Sequence, residues 1–268
     1  MAALPLIRDW LAPRLGERPL IVGISGAQGS GKSTISAALV QLLRDSGAVS
    51  ARFGRDFSVG IVQLSLDDVY LPAARRRALA ARVHPLLATR GVPGTHDLPL
   101  LLDILARVRA GRPVALPRFD KRRDDRLPPQ RWDRHDRIDL LILEGWCVGA
   151  RPQPASALLA PINALEAAAD PDARWRTHAN QALAGQYQRA WNQLDALAFL
   201  AAPDWETVPR WRAEQEAAIG GPMDAAALAR FCAHYERLTR WQLVDTPRHA
   251  GLVLRLDAGR QVVKCEVK

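Results

Sequence analysis

Gly26-Ala27-Gln28-Gly29-Ser30-Gly31-Lys32-Ser33 fits the phosphate-binding pattern G-x-x-x-x-G-K-[ST]. An apolar run, Leu20-Ile21-Val22-Gly23-Ile24, precedes it. Small and apolar residues from Thr34 to Leu43 follow it and read as a helix. Strand, glycine-rich turn, helix is the context the pattern requires. The glycines let the backbone curl until its N–H groups point at phosphate oxygens, and the helix N-terminus adds partial positive charge. The candidate nucleotide site is therefore Gly26, Ala27, Gln28, Gly29, Ser30, Gly31, Lys32, Ser33 and Thr34. Lys32 would reach the outer phosphates, and the Ser33 hydroxyl would complete a magnesium shell.

Four further apolar runs, Ile61–Leu66, Ile138–Leu143, Leu197–Ala201 and Leu252–Leu256, are continuous rather than alternating. That is the mark of strands buried on both faces. Helical patterns lie between the runs: residues 97–109, opened by a cap at Asp97, then 173–193 and 223–240. Strands alternating with helices predict a three-layer α/β/α fold around a mainly parallel sheet. Two stretches break the alternation and read as loops. Residues 84–96 are rich in Gly and Pro, and 117–136 are crowded with Pro, Arg and Asp. In an open parallel sheet such loops gather beyond the carboxyl ends of the strands, where sites form.

A chain of 268 residues, 48% hydrophobic and 24% charged, has the composition of a globular protein. It has no apolar run of 18 residues, so no membrane span is expected, and its first ten residues do not read as a signal peptide. Cys147, Cys232 and Cys265 fit no metal spacing and suggest reduced thiols in a cytoplasmic protein. The net charge of +9 comes almost wholly from arginine, since Lys32, Lys121, Lys264 and Lys268 are the lysines. The arginines are interleaved with Asp and Glu, so anionic small substrates are expected rather than nucleic acid.

Carboxylates close two of the strands. Asp67-Asp68 follows Ile61–Leu66, where an acid can take a proton from an attacking hydroxyl or hold magnesium. Glu144 follows Ile138–Leu143 and is placed to orient magnesium or its waters. Within the mixed-charge run Arg118–Arg126, Lys121 and Arg126 are the candidates to offset phosphate charge, whereas Arg75-Arg76-Arg77 reads as a helix surface. His96, in a glycine-rich loop beside Asp97, is a candidate to bind an anionic substrate. Trp175, Trp191 and Trp211 sit in helical patterns and read as core.

Together, Gly26–Thr34, Ser65-Leu66-Asp67-Asp68-Val69-Tyr70, Arg90-Gly91-Val92-Pro93-Gly94-Thr95-His96-Asp97, Leu116-Pro117-Arg118-Phe119-Asp120-Lys121 and Leu143-Glu144-Gly145-Trp146 resemble the P-loop D-glycerate 3-kinase family. The chain is more distantly similar to uridine kinases, phosphoribulokinases and bacterial pantothenate kinases. Asn180, Leu183, Tyr187, Trp191, Leu194 and Asp195 look like that family's helix before its fourth strand, and Trp211-Arg212 with Glu214-Gln215-Glu216 looks like its lid helix. Two departures stand out: Phe119 where the family often has tyrosine, and a compressed Arg122–Arg126 segment.

The resemblance implies a single P-loop kinase domain over residues 1–268. It would comprise an N-terminal helical extension (1–18), acceptor-side loops and a helix (84–136), and a helical lid with C-terminal helices (203–242). It implies transfer of the ATP γ-phosphoryl group to D-glycerate, with ATP and Mg2+ as cofactors. Asp67 would accept the hydroxyl proton, and Lys32 and Arg212 (Arg210 second) would stabilise the transferred group. Ser33 and Glu144 would place the metal, and Arg90, His96, Lys121 and Arg126 would bind the substrate. Alternatives are a uridine or pantothenate kinase-like enzyme and a non-catalytic nucleotide-binding regulator.

Overall fold

A computed structural model describes residues 2–16, 18–45, 60–218, 220–221 and 223–268. Residues 1 and 17 of the expected N-terminal extension and residues 219 and 222 of the expected lid lie outside the described residues. In chain order the strands are β1 (Leu20–Gly26), β2 (Ile61–Ser65), β3 (Val114–Leu116), β4 (Phe119–Asp120), β5 (Asp125–Arg126), β6 (Asp133–His135), β7 (Leu140–Gly145), β8 (Ala196–Ala201), β9 (Leu252–Leu256) and β10 (Val262–Val267). Six of them form the main sheet in the order β10-β9-β8-β1-β7-β2. Every pairing in it is parallel except β10 against β9.

The apolar runs are buried because both faces of the sheet are covered. Val22 and Ile24 of β1 belong to a core shared with Ile7 and Leu11 of helix Ala3–Leu11, Leu39 of helix Lys32–Asp45, and Trp211 of helix Thr207–Ala218. Ile21 points the other way, into a core with Leu101 and Leu105 of helix Leu98–Arg109 and with Tyr187 and Trp191. Burying this apolar surface at about 25 cal/mol per Å2 is the main force that holds the layers together. Gly23 lets the neighbouring leucines pack closely: a Cβ there would come within 2.9 Å of the Cδ1 atoms of both Leu194 and Leu197, which would have to shift.

The order of strands positions the site. β1 lies between β7 and β8, and β2 lies beyond β7, so the chain crosses a strand on leaving β1 for β2. Ser25 pairs with Gly145 and Ser65 with Glu144, so the carboxyl ends of β1, β2 and β7 finish level. The turns after all three meet at one edge.

Several expectations need correction. The helix expected over 173–193 is three pieces: Arg174–Ala182, a wider π-helical turn over Leu183–Tyr187, and Gln188–Trp191. Gly185 breaks it, with φ −94° and ψ −110°. The stretch 117–136 is not plain loop, because β4 pairs with β5 and β6 pairs with β3. Strand β10 had no continuous apolar run to reveal it; Val262-Val263-Lys264-Cys265-Glu266-Val267 is an exposed edge. Arg76, read as helix surface, is 1% exposed and donates to the carbonyls of Leu71, Ala88 and Asp124. Asp97 caps helix Leu98–Arg109 as expected, accepting from Leu100 N at 3.4 Å. Among the described residues no helix is long and apolar enough to cross a membrane.

Candidate active site

The phosphate loop curls through two left-handed glycines, Gly29 at φ +76° and Gly31 at φ +85°. Helix Lys32–Asp45 then starts at once, with Ile35 N donating to Gly31 O at 2.9 Å. The first backbone N–H groups of a helix have no partner within it, which makes its N-terminus an anion-binding end. The loop is braced from a side the sequence did not reveal. A Cβ on Gly29 would lie 2.5 Å from Trp211 Cβ and 2.9–3.0 Å from the Trp211 carbonyl group. Arg260, in the β9–β10 turn, donates to Gly29 O at 2.6 Å and pairs with Glu214 at 2.6 Å. Its guanidinium lies 5.1 Å from the centre of the Trp211 ring. Trp211 is core, as expected, but its backbone is also a wall of the loop.

Glu144 closes β7 beside the loop at 2% exposure. Ser33 donates its hydroxyl to Glu144 Oε1 at 3.0 Å. Glu144 Oε2 is buried without a hydrogen-bond partner among the described residues. A buried carboxylate oxygen with no donor calls for a cation. The oxygen donors of Ser33 and Glu144 suit Mg2+, which binds a few protein oxygens and keeps its remaining positions for phosphate and water.

Asp67 sits in a short turn, Leu66–Val69, just past β2. Both of its oxygens are engaged: Tyr70 donates to Oδ1 at 2.5 Å and Lys121 Nζ to Oδ2 at 2.8 Å. Burial works to raise the Asp67 pKa. The Lys121 charge, its hydrogen bond and that of Tyr70, and the Lys32 charge outweigh this and hold it at about 2. Asp67 is therefore a carboxylate at neutral pH, with Lys32 close enough for its charge to act. Asp68 faces elsewhere. It accepts from Phe119 N at 3.0 Å and Arg118 at 2.9 Å, tying the β4–β5 ribbon to the turn.

The acceptor-side candidates converge, but not all as free cations. Lys121 meets Asp67 with 61% of its side chain exposed. Arg126 is half-buried and pairs with Asp97 at 3.0 Å, and Arg90 pairs with Asp124. Asp124 also takes Arg76, so the compressed Arg122–Arg126 segment delivers a carboxylate between two guanidiniums. Asp124 adopts φ +53° to do so. His96 is 4% exposed, and burial pushes its pKa down to about 3 against a smaller opposing pull from Asp67. It is a neutral hydrogen-bonding group, so a contact with an anionic substrate would be a hydrogen bond rather than an ion pair. Phe119, at the family's tyrosine position, packs edge-on against Tyr70 with ring centres 5.2 Å apart. Sequence reasoning missed Tyr70 as a partner of Asp67; its three-residue spacing from Asp67 within one turn was the available signal.

Helix Thr207–Ala218 carries Arg210 and Arg212. Arg212 pairs with Glu216 at 2.6 Å and lies 5.2 Å from the centre of the Phe231 ring. Its Nη1 is buried without a partner among the described residues. Arg210 is exposed and reaches Thr207 Oγ1 at 3.3 Å.

The Phosphoribulokinase / Uridine kinase family model matches residues 21–150. The chain is 33% identical over 224 residues to the uncharacterized kinase mug58 of Schizosaccharomyces pombe, covering 77% of this chain and 73% of that protein. The chain belongs to the phosphoribulokinase/uridine kinase family. It is also 30% identical over 213 residues to the chloroplastic D-glycerate 3-kinase of Arabidopsis thaliana, covering 75% of this chain but 42% of the plant protein. The solved D-glycerate 3-kinase from Cryptococcus neoformans var. grubii aligns over 100% of both chains, with a TM-score of 0.78 and 25% identity. The three-layer P-loop kinase fold and the resemblance to D-glycerate 3-kinases are upheld, and the family is one of kinases.

Proposed function

We propose that this kinase transfers the γ-phosphoryl group of ATP to a hydroxyl of D-glycerate, giving 3-phosphoglycerate. The observation that carries the proposal is the position and charge of Asp67. It is ionised, held between Tyr70 and Lys121, and stands at the same sheet edge as the Ser33–Glu144 pair of the phosphate loop. Lys121 is bonded to Asp67, and the acceptor-side segments add Arg90 and Arg126, paired with Asp124 and Asp97. A small acid offers little apolar area, so charge-assisted hydrogen bonds have to supply most of its binding.

Backbone N–H groups from Gly29 to Ser33 hold the β-phosphate, and Lys32 offsets charge on the outer oxygens. Ser33 and Glu144 would hold Mg2+, which would supply further charge neutralisation. Asp67 orients the acceptor hydroxyl and takes its proton late in transfer. A carboxylate with a pKa of about 2 is a weak base, and a largely dissociative transition state asks for no stronger one. Lys121, whose end is exposed, exchanges its bond to Asp67 for one to the substrate carboxylate. The described residues of 203–242 would act as the lid of a single catalytic domain, with Arg212 leaving Glu216 to meet the phosphates on closure.

A second reading has its own observation. A cavity of about 700 Å3 opens beside His96, lined also by Leu71, Leu79, His178, Gln181 and Tyr187. That is more room than glycerate fills and favours a larger hydroxylated acceptor. An ATP-consumption screen over small hydroxy acids, sugars, nucleosides and pantothenate separates the two. D-glycerate should give the highest kcat/KM, and a clear preference for another class removes the glycerate assignment. Asp67→Asn should lower kcat far more than it weakens ATP binding. A loss confined to ATP affinity would make Asp67 a metal ligand instead.

A further inference from the structure

We propose that Tyr187 is a positioning residue that locks His96 as the neutral Nε2–H tautomer, so that His96 presents one fixed hydrogen-bond donor to an acceptor oxygen of the substrate. The inference deepens the reading of His96 as an acceptor-side group and rests on it. The Tyr187 hydroxyl lies 2.6 Å from His96 Nδ1 and accepts from Gly94 N at 2.9 Å. Both side chains are buried, Tyr187 at 1% exposure and His96 at 4%.

Counting donors and acceptors decides the tautomer. A phenol has one proton to give. If His96 carried its proton on Nδ1, two N–H groups would point at the Tyr187 oxygen. The phenolic proton and the Nε2 lone pair would then both be left unpaired. If Tyr187 donates to Nδ1, every polar atom of the pair is satisfied except Nε2–H. The second arrangement leaves one orphan rather than two, and each buried orphan costs about 1–3 kcal/mol. Burial raises the Tyr187 pKa well above its usual value, so the phenol keeps the proton it must donate. Burial also keeps His96 uncharged, since its pKa lies near 3.

What remains is a single buried donor, His96 Nε2–H, without a partner among the described residues. Its ring is held between Tyr70, at 4.7 Å, and Tyr187, at 5.7 Å between centres, so it has little freedom to turn away. Tyr70 in turn donates to Asp67, which places His96 one ring from the proposed base. The same His96 borders the 700 Å3 cavity. A neutral donor prefers a hydroxyl, carbonyl or carboxylate oxygen and does not demand a full negative charge. His96 therefore reads the acceptor's oxygen geometry while Lys121 and the arginines read its charge. Tyr187 reaches Gly94 and His96 just past the break in the helix at Gly185.

The test is a long-range 1H–15N spectrum of the imidazoles in the full-length protein, with His96 assigned through its backbone, before and after addition of D-glycerate. We expect the Nε2–H pattern, no protonation down to pH 5, and movement of the His96 signals on adding D-glycerate. Tyr187→Phe should turn the pattern into a tautomer mixture and raise KM for D-glycerate about tenfold, with KM for ATP unchanged. An Nδ1–H pattern in the wild type overturns the proposal, and that spectrum needs no variant to fold. Turnover of D-glycerate without movement of the His96 signals overturns the acceptor contact. If D-glycerate is not turned over but the pattern is Nε2–H and a turned-over acceptor moves it, the inference stands and the glycerate reading fails.

Discussion

Replacing Gly29 and, separately, Gly31 with alanine distinguishes two costs in the phosphate loop. Both glycines are left-handed, with φ +76° and +85°, so each substitution adds backbone strain of about 1–2 kcal/mol. Their surroundings differ. An added Cβ at Gly31 meets nothing nearer than Ile35 Cδ1 at 3.9 Å, an ordinary contact. At Gly29 it meets Trp211 Cβ at 2.5 Å and the Trp211 carbonyl group at 2.9–3.0 Å. Those are backbone atoms and the root of a buried side chain, so helix Thr207–Ala218 has to move as a unit. Overpacking of this kind adds about 1–3 kcal/mol. Gly31→Ala should then lower Tm by roughly 2–6 °C and Gly29→Ala by roughly 5–15 °C, for a chain of this size. Differential scanning fluorimetry without ligand measures the difference, and initial rates against ATP measure the consequence. Gly29→Ala should also raise KM for ATP more than Gly31→Ala does, because the displaced helix carries the Glu214 that pairs with Arg260. Equal melting temperatures for the two variants would refute the seating of Trp211 on the loop.

Lys121→Ala should let Asp67 titrate closer to its ordinary value. The drop from 3.8 to about 2 corresponds to about 2.4 kcal/mol of preference for the charged form. Lys121 is 61% exposed, so screening cuts its share to about 1 kcal/mol. Carboxyl NMR reads the pKa, and an Asp67 still titrating near 2 in the variant would remove Lys121 as the main source of the lowering. His96 has a lowered folded pKa, so the unfolded chain binds its proton first as pH falls through 6.5. Stability should therefore decline between pH 6.5 and about 3, and His96→Gln should flatten part of that decline in urea titrations. An unchanged slope would show that His96 is not buried neutral. Arg76→Met should cost about 3–5 kcal/mol, since it strips the donor from three backbone carbonyls and from Asp124. Chemical denaturation checks this, and a loss below about 1 kcal/mol would return Arg76 to the surface.

The sequence alone determined the strand–loop–helix unit, because the physics there is local. A buried parallel strand is an unbroken apolar run, and a phosphate cradle needs glycines at set intervals before a helix. It also determined that carboxylates stand at the carboxyl ends of β2 and β7, since Asp67, Asp68 and Glu144 directly follow apolar runs. Tertiary structure decided which acid faces the site. Asp67 meets Lys121 across 54 positions of sequence, whereas Asp68 is turned to the β4–β5 ribbon. It decided that Arg76 is buried and that Arg126 is paired with Asp97, neither of which charge pattern reveals. It decided that His96 is neutral, because its burial and its bond to Tyr187 come from segments 91 positions apart. Local chemistry fixes what a residue is able to do. Desolvation and long-range pairing fix which of those things it does, and both depend on the whole fold.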